Sequence, residues 1–86
     1  MPEISRFFGI IISMFFDDHN PPHFHARYNE YKAVIAIDDL RLLEGSLPPR
    51  VHGLVVEWAL KHKDELMRDW NLTKEEKYPE KIEPLL

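Results

Sequence analysis

Three of the five histidines in this 86-residue chain, His19, His23 and His25, fall in one short stretch, DDHNPPHFHAR, spanning residues 17–27. An imidazole ligates metals and exchanges a proton near neutral pH. The stretch also carries two adjacent carboxylates, Asp17 and Asp18, and ends on the permanent cation Arg27. Residues two apart on a strand point to the same side, about 6.7 Å from one another. If this segment is extended from residue 23, then His23, His25 and Arg27 form a row, and His19 with the two carboxylates can fold back onto it from the preceding loop.

Four chemistries fit those residue types. Asp17, His19, His23 and His25 are candidate ligands for zinc or a similar divalent ion, for which His-x-His on a strand is a sound two-ligand platform. Alternatively, His23 or His25 serves as general acid or base while Arg27, with Lys32 beside it, stabilises developing phosphoryl charge; that would be a metal-independent, ribonuclease-like site. A third reading makes the row a recognition surface for an acidic protein segment or a phosphate, without turnover. In the fourth, Pro21 and Pro22 stiffen the start of the strand and the histidines only hydrogen-bond loop carbonyls. No P-loop, nucleophile elbow or other specific motif accompanies the row.

The elements that must position these groups read as follows. Residues 7–16, FFGIIISMFF, are β-branched and aromatic, and predict one strand covered on both sides. Its odd positions mix Ile11 and Phe15 with small Gly9 and Ser13, and that face is a candidate docking surface for a second protein. Residues 23–28 and 31–37 predict a hairpin closed by Asn29-Glu30. A two-residue loop pairs Tyr28 with Tyr31, Ala26 with Ala33 and Phe24 with Ile35 on a core face. On the other face it sets Arg27 opposite Lys32, His25 opposite Val34 and His23 beside Ala36. Two facing cations repel, so that surface is either solvated or supplied with an anionic partner.

Asp38-Asp39 predicts a second turn, followed by a short strand at 40–44 with Leu40 and Leu42 on the core side. Ser46 is a candidate cap, and Pro48 and Pro49 suit the first turn of a helix. Apolar residues then recur at Val51, Leu54, Val55, Trp58, Ala59 and Leu66, at near-helical period. The pattern weakens after Lys63, which predicts a bend or a second helix capped by Asp64. Gly53 suggests close helix–sheet packing. Trp58, Trp70 and His62 belong with the core before any ligand, and His52 with the exposed edge. Residues 73–86, with Pro79 and Pro84, predict an irregular tail pinned through Ile82, Leu85 and Leu86. The fold expected is α+β: an antiparallel sheet of about four strands with one long or bent C-terminal helix on one face, in a single domain over residues 1–86.

Composition narrows the function classes. With 44% hydrophobic residues the chain can build a core, at a size where a homodimer would help. There is no cysteine, hence neither a disulfide framework nor a thiolate metal site, and a reducing cytoplasmic location is expected. No apolar run is long enough for a membrane span. A net charge of −4 disfavours a broad nucleic-acid footprint.

Over almost its whole length, the chain resembles the small prokaryotic family called domain of unknown function 4160. The resemblance rests on PEISRFFGIIISMFFDDHNPPHFHARYNEYKAVIAID, on LPPR ahead of the helix and on EWALKHKDEL. HNPPHFHA is the most specific segment. The family carries no assigned activity or catalytic residue. The resemblance implies a small partner protein encoded nearby and a toxin–antitoxin-like gene pair, so the leading expectation is an interaction component of such a module. No cofactor is expected under that reading; a divalent metal belongs to the alternative.

Overall fold

In a computed structural model that describes residues 2–86, the chain folds into five strands followed by two helices. The strands are β1 (Glu3–Phe7), β2 (Ile10–Ser13), β3 (His23–Tyr28), β4 (Tyr31–Ala36) and β5 (Leu42–Gly45). They form one antiparallel meander in the order β1-β2-β3-β4-β5. The helices are α1 (Pro49–Lys61) and α2 (Lys63–Lys74).

The single strand expected over 7–16 instead comprises the end of β1, a turn and β2, which stops at Ser13. The chain reverses at Phe8-Gly9, both with positive φ (50° and 78°), and Phe7 pairs with Ile10. Glycine tolerates this conformation and phenylalanine does not readily do so. Phe8 therefore stands at the tip, 60% exposed, rather than in the core. Gly9 lies at the same tip, in the turn and not on β2 with Ile11 and Ser13.

The β3–β4 hairpin has the register expected from its two-residue loop, from Tyr28 opposite Tyr31 to His23 opposite Ala36. Asn29 carries the positive φ that closes it. In β5 the expected bounds shift: Leu40, with φ 60°, is buried before the strand begins, whereas Leu42 is exposed. Gly45, also at positive φ, ends β5. A Cβ there would lie 2.0 Å from the Lys32 carbonyl oxygen, so only glycine allows the two backbones to approach.

Ile4, Ile10, Ile12, Phe24, Ala26, Ala33 and Ile35 join Val51, Val55, Trp58, Leu66 and Trp70 in one apolar cluster. Both helices thus close the same face of the sheet. Pro49 occupies the first turn of α1, and Ser46 makes no cap bond. The helical region breaks at His62, which is the N-cap of α2; Asp64 lies in the first turn instead. His62 is half-buried and bonds Glu65 across 2.5 Å. Gly53 faces open space, so it does not mark close packing.

After Lys74 the chain has no further helix or strand. It runs back along the domain, where Ile82 and Leu85 are buried, the Ile82 N–H donates to the Ile4 carbonyl, and the Trp58 indole N–H donates to the Glu83 carbonyl. Leu86 is fully exposed and pins nothing. Among the described residues no helix is long and apolar enough to cross a membrane.

Candidate metal centre

Strand pairing places the candidate residues on the face of the sheet opposite the helices, in three rows running across the strands. His23 and Ala36 form the first. The second contains Glu3, Ser13, His25, Val34 and Glu44, and the third Arg6, Ile11, Arg27 and Lys32. Successive rows stand about 6.7 Å apart along the strands. The apolar odd positions of β2 and the histidine row are therefore neighbours on one surface, not separate features.

The loop from Met14 to Pro22 folds over the first of these rows and brings Asp18 between the imidazoles. Asp18 Oδ2 lies 3.1 Å from His23 Nε2 and 2.9 Å from His25 Nε2. The ligand atoms of Asp18, His23 and His25 all fall within 4.8 Å of one another. Asp17 and His19 are exposed and outside this cluster, so the four-residue ligand set expected from sequence contracts to three, with Asp18 replacing both. His19 lines the cavity beside it, of about 330 Å³, together with Asn20, Leu43 and Glu44.

Neighbouring groups fix the orientation of each ligand. His23 is 8% exposed, and its Nδ1 lies 2.8 Å from the carbonyl oxygen of Pro21. A carbonyl can only accept, so Nδ1 carries the hydrogen. In the neutral imidazole Nε2 then presents a lone pair to the Asp18 oxygen. Two acceptors 3.1 Å apart repel, and a positive charge between them, whether a proton or a metal ion, turns the contact attractive. The Trp70 indole covers His23 at 5.1 Å between ring centres, and the edge-on Phe15 ring contacts His25 at 4.4 Å.

The loop is braced from outside. The Lys74 ammonium donates to the Asp18 backbone carbonyl while lying 4.4 Å from the centre of the Trp70 ring, and Tyr78 packs on Phe16. The Asn20–Pro21 peptide is cis. Trp70 and Lys74 were not apparent as site residues in the sequence. Their i, i+4 spacing puts them on one face of a helix, but nothing local indicates that this face meets the histidine loop.

Arg27 and Lys32 stay outside the cluster. They face one another across β3 and β4, both exposed, and neither makes an ion pair among the described residues. With Ile11, Ser13, Phe15, His25, Val34 and Glu44 they line a groove of about 400 Å³.

Fold and cluster together describe a small α+β protein with two histidines and one carboxylate gathered where the start of β3 meets the end of α2. By sequence, the chain belongs to the domain of unknown function family DUF4160, whose model matches residues 9–71. That span includes all three cluster residues and Trp70, and ends before Lys74. Comparison with curated proteins and with solved structures gives no match.

Proposed function

We propose that this protein binds one divalent transition-metal ion through Asp18 Oδ2, His23 Nε2 and His25 Nε2. The observation that carries the reading is the Nδ1–H bond from His23 to Pro21. An outer hydrogen bond of this kind fixes the tautomer of metal-ligating histidines and aims the other nitrogen at the ion. Three protein ligands leave positions free for water or a substrate, which is the pattern of catalytic rather than closed structural zinc sites. Two histidines and a carboxylate also suit ferrous iron. The three ligands line the same cavity as His19 and Glu44, which would give water or a substrate access to a bound ion.

The metal-independent ribonuclease reading fits less well. Acid–base cleavage needs one group to take a proton and another to deliver one at separate atoms, whereas both Nε2 atoms here address the same carboxylate oxygen. A partner protein is a separate proposal, supported by half-buried Ile11, Phe15 and Val34 on the helix-free face. Co-expression with the neighbouring gene product tests it, and separate elution at micromolar concentration would remove it.

The metal proposal is tested by elemental analysis of untagged protein and by calorimetric titration with zinc, ferrous iron and manganese. One metal per chain, lost in His23→Ala and His25→Ala while their circular dichroism stays native, is the expected result. Metal-free protein whose melting is unaltered by any of the three ions overturns it.

A further inference from the structure

The groove next to the cluster contains two unpaired cations whose juxtaposition the metal site does not explain. Arg27 and Lys32 are directly opposite on adjacent strands. Like charges so placed destabilise a sheet, and no carboxylate of the described chain neutralises them within ion-pair distance. Of the acidic groups on this surface, Glu44 lies one row away, beside Val34, and lines the same groove, while Glu3, beside Ser13, is paired with Arg6. The chain as a whole is acidic, at −4, so two cations meeting on one groove floor are a local feature and not the spill of a basic surface.

The rest of the groove defines what could sit there. Ile11, Phe15 and Val34 provide apolar walls, and Ser13 and Glu44 a hydroxyl and a carboxylate. His25 belongs to both the groove and the metal cluster. The third row, with the cations, is about 6.7 Å along the strand from the row of His25. An occupant with a doubly negative group at one end, a short carbon body, and hydroxyls at the other end would complement the two cations, the apolar walls and Glu44 in turn. A polyanion is a poor match, because binding along a phosphate backbone draws on many Lys and Arg contacts, and this face offers only Arg27, Lys32 and Arg6, the last already paired with Glu3. A cavity of about 400 Å³ also has the size of a small-molecule site.

We infer that the groove is the substrate subsite of the metal centre and takes a small hydroxylated organic phosphate. The phosphate sits between Arg27 and Lys32, and the hydroxyl end lies toward His25 and Glu44. Arginine is suited to the phosphate because its guanidinium can donate two parallel hydrogen bonds, and Lys32 adds a second charge from the opposite strand. The inference rests on the metal reading for the orientation of the ligand, but the phosphate end does not touch the metal residues.

The test uses the full zinc-loaded chain, with ribose 5-phosphate, inorganic phosphate and ribose as probes, followed by amide NMR. Ribose 5-phosphate should give saturable shifts at Ile11, Ser13, Arg27 and Lys32, and should bind more tightly than inorganic phosphate; ribose alone should be far weaker. Arg27→Gln with Lys32→Gln should weaken ribose 5-phosphate at least about tenfold, the equivalent of one lost charge-assisted hydrogen bond, with zinc affinity unchanged. Asp18→Asn should leave inorganic phosphate binding intact and remove the preference for the sugar phosphate. Equal ribose 5-phosphate affinity in the double variant and wild type, or no saturable shift in wild type, overturns the subsite. Absence of zinc binding in wild type overturns the metal centre instead, so the two failures are distinguishable.

Discussion

Replacing Asp18 by Asn separates the metal reading from a hydrogen-bonded histidine pair. The side chain keeps its size and can still accept the His25 N–H, but loses its charge. Without metal the change trades charge-assisted contacts for neutral ones, a difference of about 1 kcal/mol. With metal the effect is larger. Zinc at 100 times its dissociation constant stabilises a folded protein by about 2.7 kcal/mol. At about 4–8 °C per kcal/mol for a domain of this size, that is a rise in melting temperature of about 11–22 °C. Even partners outside the coordination sphere cost about 10–100-fold in metal affinity when removed, and a ligand should cost no less. At the same free zinc the variant would then gain only RT ln 11 to RT ln 2, about 1.4 to 0.4 kcal/mol. Differential scanning calorimetry with and without zinc reads both quantities. A zinc-dependent rise as large in Asp18→Asn as in wild type would refute Asp18 as a ligand.

Two glycines should respond in opposite directions to alanine. Gly45→Ala, at φ 75° and with a Cβ 2.0 Å from the Lys32 carbonyl oxygen, should lose upwards of about 1–3 kcal/mol in urea unfolding; Gly53→Ala, with open space around it in α1, should gain about 0.5–1 kcal/mol. An unchanged midpoint in the first, or a loss in the second, would contradict the backbone geometry. Asp69 supplies a pH test. Burial raises its pKa, against the opposing hydrogen bond from the Glu80 N–H, and its Oδ2 has no hydrogen-bond partner among the described residues. A carboxyl whose folded pKa is raised contributes stability fully below its unfolded value and loses it as pH rises through the folded one. Asp69→Asn should therefore fare better relative to wild type near pH 7 than near pH 4, and a pH-independent difference in urea midpoint would count against it.

The β3–β4 hairpin was readable because three local rules agree on it. Alternation sets the faces, Asn29 tolerates the turn, and a two-residue loop leaves one register, so the Arg27–Lys32 confrontation follows from sequence alone. The β1–β2 hairpin was not readable for the converse reason. Residues 7–16 are apolar almost throughout, so no alternation marks a reversal, and Phe-Gly is not a usual turn pair. One strand of the sheet disappeared from view with that turn. The helix break at His62 was visible as a fading stripe, though His62, not Asp64, caps the second helix. At the cluster, the two histidines were accessible because a strand fixes their direction. The choice of Asp18 over Asp17 and His19 was not, since it depends on how the loop folds back, and the groups holding that loop lie some fifty residues further along the chain.

This difference in support also bears on how the site would work. His23 and His25 are held by the sheet ladder, by the Pro21 carbonyl and by Trp70, and so are arranged before any ion arrives. Asp18 is held differently: among the described residues its carboxylate has the two imidazoles as its polar side-chain partners, and its backbone is tied to Lys74 at the last turn of α2. Preorganised ligands lower the ordering cost of binding, so the histidine pair should set which ion binds and the α2 contact how tightly. A change at Lys74 that leaves both histidines untouched should thus weaken metal affinity without altering the preference among zinc, iron and manganese. On the proposed metal site, specificity would then be set by the β3 strand, and affinity by what the end of the second helix does to a loop.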